Sequence, residues 1–246
     1  MPAIIPHQKD PKCELVLQPD TGPITGEDFH KWKDEFYRRK TTWINITDVD
    51  LSMDKEKKYF DATIFDGILK SPGISKLVIF FGCKSKIEKH RDLDVYAAGV
   101  DQNCKIITPI YKGRIDKDGK DTSVEFDDLK KGQINWISRN LHMNAPGLFD
   151  PYNEFNGYAH DPSFLKRCFF ETEKPEEERL YKKVAIYFGV DTRKQHRNTV
   201  IFIGIDKDGN EDLPVKDAIT ILAVDNGAQC CPIPDDPTPL LETRHA

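Results

Sequence analysis

Residues 76–101 read KLVIFFGCKSKIEKHRDLDVYAAGVD, and residues 183–206 read KVAIYFGVDTRKQHRNTVIFIGID. Each stretch opens with an apolar run closed by a glycine: Leu77 to Gly82, then Val184 to Gly189. A polar, basic connection follows, and a second apolar run ends in glycine, a β-branched residue and aspartate: Gly99–Val100–Asp101 and Gly204–Ile205–Asp206. The first runs are offset by 107 residues at glycines 82 and 189, the second by 105 at glycines 99 and 204, so the match needs a two-residue gap in the connection. Short runs rich in β-branched and aromatic residues, bounded by glycine and polar residues, predict strands, and each pair predicts a hairpin. Near-continuous apolarity predicts that both faces of each hairpin are covered. An isolated hairpin is at best marginal in water, so the two are expected to share a sheet or a core.

The segments before each hairpin follow one grammar. Thr25 is placed as a helix N-cap, Asp28 stands at the capping-box position, and Ile24 and Phe29 are spaced to staple across it. Phe29, Trp32 and Phe36 form one apolar face, and Arg38–Arg39–Lys40 suits a helix end. A second helix is predicted over 61–70, stopped by Ser71–Pro72–Gly73. Later, residues 124–140 read as a helix with Phe126, Leu129, Trp136 and Ile137, and 162–170 as a short helix after an aromatic loop over 144–161. The fold class expected is α+β: two pseudo-repeats, each two helices followed by an antiparallel hairpin. The expected division is an extended arm over 1–23, a first repeat over 24–112, a linker over 113–123, a second repeat over 124–228 and a proline-rich tail over 229–246. Residues 214–224 fit a short helix or a strand.

This layout resembles a group of small, functionally uncharacterised bacterial proteins, chiefly of Bacteroidetes type. The residues that carry the likeness are YFGVD at 187–191, IGIDKDGN at 203–210, Cys230–Cys231–Pro232 and Pro239–Leu240. The first half looks like a divergent copy, with Cys83–Lys84 where the second has Val190–Asp191. The resemblance implies a fold and no activity.

With 246 residues, the chain suits one large domain or two of about 100 residues each. Its hydrophobic content is 38%, and no apolar run approaches the ~20 residues a membrane span needs. MPAIIPHQKDPK lacks the apolar segment of a secretory signal, so a cytoplasmic protein is expected. A net charge of −5 argues against bulk nucleic-acid or membrane affinity. The six cysteines, at 13, 83, 104, 168, 230 and 231, form no CxxC pair, and free thiols are expected. Cys83 and Cys104, at opposite ends of the first hairpin unit, could pair only in an oxidising compartment.

Four features are candidates for function. Asp206–Lys207–Asp208–Gly209–Asn210 and Asp116–Lys117–Asp118–Gly119 resemble calcium loops, but glycine stands at position 4 instead of 6 and no glutamate stands at 12. Asp-Gly is also ordinary turn chemistry, and no metal or cofactor is expected. The hairpin tips are basic: Lys84, Lys86, Lys89, His90 and Arg91, then Arg193, Lys194, His196 and Arg197. Side by side they could hold a phosphate or carboxylate; alone they are solvated tips that protect an edge. Phe149, Tyr152, Phe155 and Tyr158 recur every three residues, either folded onto the core or exposed as an interface. His160–Asp161 near Cys168 could be imagined as a thiol site, although a cysteine on an apolar helical face is ordinarily core. The sequence holds no GxSxG, HExxH, phosphate-binding loop or GxGxxG after a strand. The expectation is a non-enzymatic interaction or structural module with a protein partner or self-association. Alternatives are an enzyme of unrecognised class with a site between the halves, or a small-anion or nucleotide binder using the basic tips.

Overall fold

The computed structural model describes residues 22–47, 57–84, 93–103, 105–142, 157–192, 197–212, 219–225 and 228–229. In chain order these form β1 (Gly22–Thr25), α1 (Gly26–Thr47), β2 (Lys58–Asp61), α2 (Ala62–Leu69), β3 (Lys76–Cys83) and β4 (Leu93–Val100). There follow β5 (Ile110–Lys112), β6 (Thr122–Val124), α3 (Phe126–His142), β7 (Gly157–His160) and α4 (Pro162–Phe164), which continues as a π-helical turn over Leu165–Phe169. A 3₁₀ turn at Glu176–Glu178 leads to β8 (Lys183–Asp191), β9 (Arg197–Ile205), β10 (Ile219–Asp225) and β11 (Ala228–Gln229). The fold is α+β, with two antiparallel sheets.

Both apolar doublets fold as antiparallel hairpins. Leu77 pairs with Gly99 and Phe81 with Val95, while Val184 pairs with Gly204 and Phe188 with Val200, so the two hairpins share one register. The hairpins lie in different sheets. One sheet runs β1-β10-β9-β8-β2 and the other β11-β7-β3-β4-β5-β6.

Strand alternation sends successive side chains to opposite faces, and here both faces are apolar. Leu77, Ile79 and Phe81 of β3 join Val184, Ile186 and Phe188 of β8 in one inner core, together with Ile64, Phe65 and Ile68 of α2 and Leu165 and Phe169 of the π-helical turn. The Phe81 and Phe188 rings meet with centroids 5.7 Å apart. The alternate residues face outward and are covered by helices. Ala185, Tyr187, Ile201 and Ile203 pack with Phe29 and Trp32 of α1. Val78, Phe80, Tyr96 and Ala98 pack with Leu129 of α3.

The helix starts follow local chemistry. The Asp28 amide donates to Thr25 Oγ1 at 3.0 Å, and Asp161 Oδ1 accepts from the Ser163 amide at 2.7 Å with Pro162 at the first helical position. The structure refines other local readings. The first helix continues past Arg38–Arg39–Lys40 to Thr47. Gly22 and Pro23, assigned to an extended arm, lie in β1 opposite Asp225 and Val224. Within the stretch 113–123, Thr122 and Ser123 belong to β6 and pair with Lys112 and Tyr111. Residues 157–160 of the aromatic loop form β7, and the ambiguous segment near 219 is strand β10. Among the described residues, no helix is long and apolar enough to cross a membrane.

Candidate functional site

Each hairpin's first strand carries a glycine under its covering helix, and the two sites are filled differently. A Cβ on Gly189 would stand 3.2 Å from Trp32 Cβ and 3.1 Å from Ile201 Cδ1, so the glycine lets the Trp32 stem settle on the strand. On the other sheet, a Cβ on Gly82 would lie 2.9 Å from both the Gly132 carbonyl carbon and Tyr96 Cε2. A Cβ on Gly132 would lie 2.8 Å from Tyr96 Oη. Here the helix offers no side chain, its backbone comes down onto the strand, and the bulk is supplied by Tyr96 from β4.

Supplying the bulk as a phenol brings a hydroxyl into the core, and a buried hydroxyl needs a partner. Asp94 lies two residues away on the same strand face, and its Oδ2 accepts from Tyr96 Oη at 3.3 Å. Asp94 is itself only 7% exposed, so it too needs a partner. Lys112 supplies one: it sits directly opposite Tyr96 in the β4–β5 register, and its Nζ reaches Asp94 Oδ2 at 2.8 Å. The same ammonium stands 5.8 Å from the Tyr96 ring centroid. Burial, then the Asp94 carboxylate, drive the Tyr96 phenol well above its ordinary value, so it keeps its proton.

Above this triad is a recess of about 270 Å³, walled by Tyr96, Gly132 and Val124 and reached past Lys84, Asp128 and Lys131. Asn135 stiffens one side, its Nδ2 donating to the carbonyls of Cys83 at 3.1 Å and Lys84 at 3.0 Å. Cys83, a buried cysteine, also lines the recess, and Cys104 lies outside the described residues.

A second polar cluster is closed upon itself. Lys57 Nζ meets Glu211 Oε1 at 2.5 Å and donates to Tyr187 Oη at 2.9 Å, while Tyr187 Oη donates to Glu211 Oε2 at 2.6 Å. Burial pulls the Lys57 ammonium down, but the hydrogen bonds to Glu211 and Tyr187 outweigh it and hold the group above its ordinary value. For Glu211, burial works upward, and the bonds from Lys57 and Tyr187 hold it below the usual carboxylate range. With both charges held, the cluster fastens Glu211, beyond β9, to Lys57, ahead of β2.

Of the candidate residues, Lys86, Lys89, His90, Arg91, Arg193, Lys194, His196, Phe149, Tyr152 and Phe155 lie outside the described residues. Arg197 begins β9, its backbone paired with Asp191. Tyr158 is 3% exposed and packs its ring against Phe81, centroids 5.6 Å apart, which is the folded-back arrangement for that residue. Lys84, at the root of the first basic tip, lines the recess.

Asp206 Oδ1 accepts from the amides of Asp208 at 2.9 Å and Asn210 at 2.8 Å, with Gly209 at φ +83°; the carboxylate is spent on a turn. Asp116 Oδ1 accepts likewise from the Asp118 amide, and Asp118 pairs with Lys183 at 2.8 Å. No group of three metal-capable side chains occurs among the described residues. His160 is fully buried, edge-on to Phe202 at 4.9 Å, and burial pushes it down to about 3. The Cys168 side chain lies outside the described residues.

Asp94, Tyr96, Lys112, Gly132 and Asn135 are not among the candidate residues of the sequence. One signal was present: the second hairpin has Thr199 and Ile201 where the first has Asp94 and Tyr96. No family model, curated protein or solved structure matches this chain.

Proposed function

We propose that the chain is a non-enzymatic binding module made of two pseudo-repeats that exchange their short leading strands. The strand orders support the exchange. In one sheet β10-β9-β8 is flanked by β1 and β2, and in the other β5-β4-β3 is flanked by β6 and β7. Each hairpin with its following strand is thus bracketed by the two leading strands of the other half. The turns after the hairpins agree: Asp101 Oδ1 accepts from the Asn103 and Lys105 amides as Asp206 Oδ1 does from those of Asp208 and Asn210. Self-association is the corollary, because a half-chain would leave strand edges for a second half-chain to pair. Residues 24–112 expressed alone are expected to dimerise or aggregate. A cooperatively melting monomer would contradict the exchange.

The observation that carries the binding role is the unequal pair of outer faces: one sealed by Trp32, the other opened at Gly132 over a polar recess. Binding is favoured over proton-transfer chemistry because the phenol at its base is held protonated, far from neutrality, and the neighbouring charges are paired with each other. The test is an NMR screen of the full chain against small neutral, cationic, anionic and aromatic molecules, read at the Gly132 and Asn135 amides. At least one class is expected to give saturable shifts there. If no class does, the recess is a packing feature and the reading fails.

A further inference from the structure

We infer that the recess beside Tyr96 takes a small anion, a carboxylate or phosphate, held at its mouth by Lys84 and Lys131. This rests on the binding-module reading and names its ligand class. Inside the recess the polar groups satisfy one another, since the Tyr96 hydroxyl and the Lys112 ammonium both end on Asp94. A ligand's charge must therefore be answered at the mouth.

The mouth brings together Lys84 from the end of β3, Lys131 from α3 and Asp128 from the first turn of α3. With Asp94 neutralised by Lys112, two lysines stand against one carboxylate. Neither lysine forms an ion pair within 4 Å among the described residues, although Asp128 is three residues from Lys131 on one helix. An incoming cation would face two ammonium groups against the single Asp128 carboxylate. An anion would give two cations from different elements a shared partner, the arrangement in which charge-assisted hydrogen bonds are strongest. Both amide hydrogens of Asn135 are already used on the Cys83 and Lys84 carbonyls. Its remaining oxygen can accept from a hydroxyl on the ligand, so a hydroxy acid or a sugar phosphate would gain one further bond.

The experiment is an amide NMR titration of the full chain at fixed ionic strength, with inorganic phosphate and acetate in separate arms and methylammonium and glycerol as counter-probes. Saturable shifts at Lys84, Lys131 and Gly132 are expected with phosphate, acetate or both, and the stronger arm identifies the headgroup. Lys84→Ala and Lys131→Ala should each weaken binding about tenfold, the effect of losing one charge-assisted bond, and Lys131→Glu should abolish it. The pair Gly132→Trp with Tyr96→Ile gives this face the Trp32 and Ile201 filling of the other and should close the recess. If that pair fails to fold, the exposed Lys131→Glu change still decides. Anion shifts indifferent to the lysine changes would overturn the proposal. Saturation by methylammonium or glycerol but not by the anions would sink the anion class and leave the binding module standing. Silence from every probe at the recess would remove both.

Discussion

The outer faces of the two sheets solve one packing problem with opposite choices of residue. Over Gly189 the helix contributes Trp32 and the strand contributes Ile201, with Trp32 Cβ and Ile201 Cδ1 meeting at the glycine. Over Gly82 the helix contributes nothing beyond Gly132, and the strand contributes Tyr96. The difference looks like an exchange of volume, but it is also an exchange of chemistry. On the open face the buried phenol calls for Asp94, and Asp94 calls for Lys112. A polar recess follows from placing the bulk on the strand instead of the helix.

The sealed face should be the more sensitive to loss of volume. Trp32 is fully buried, so Trp32→Ala is expected to cost about 3–5 kcal/mol in denaturant unfolding. A loss below about 1 kcal/mol would mean that the indole is not the plug.

A second contrast lies in the inner core, where His160 of β7 opposes Leu77 of β3 and Phe60 of β2 opposes Val184 of β8. Burial lowers His160 from its ordinary 6.5 to about 3. The folded state therefore favours the neutral ring. Its full stability is present above pH 6.5 and is lost as pH falls from there toward 3, by up to about 1.4 kcal/mol per pH unit. His160→Phe, which copies Phe60, should flatten that part of the stability profile. An unchanged acid slope would show that the ring is not the group being charged.

The open face should resist added volume. Gly132→Ala puts a methyl against Tyr96 Oη and is expected to cost about 1–3 kcal/mol. Tyr96→Phe in the same chain should recover much of this, because the hydroxyl is the obstructing atom; a double-mutant cycle with no coupling would refute the close approach. Asp94→Asn is expected to cost a similar amount, about 1–3 kcal/mol, from weakening the partner of a buried phenol and an ammonium. It should also bring the Tyr96 phenol down toward its ordinary value, since Asp94 is, after burial, what holds it up. Ultraviolet titration reads that shift directly.

Much of the fold was legible before any coordinates, and for a local reason. The hairpins carry eight or nine residues per strand with nearly unbroken apolar side chains, so the strands and their antiparallel partners show in the sequence. Thr25 announces a helix start because a cap is a contact across three residues. The short strands were not legible. β2 and β7 are four residues each, too short to show a period, and β2 finds its partner across more than a hundred residues, Lys58 opposite Ile186. The recess was hidden for the same reason, since it depends on how closely α3 approaches β3.

By itself the sequence determined two matched hairpins, the helix starts ahead of them and the need for a shared core, because periodicity, capping and burial act within short stretches or on composition alone. Only the tertiary structure decided that the hairpins stand in separate sheets, that each is flanked by strands distant in the chain, and that one outer face is sealed while the other is open. Those outcomes depend on which distant backbones meet at hydrogen-bonding distance and on whether the residue facing a glycine is Trp32 or Gly132.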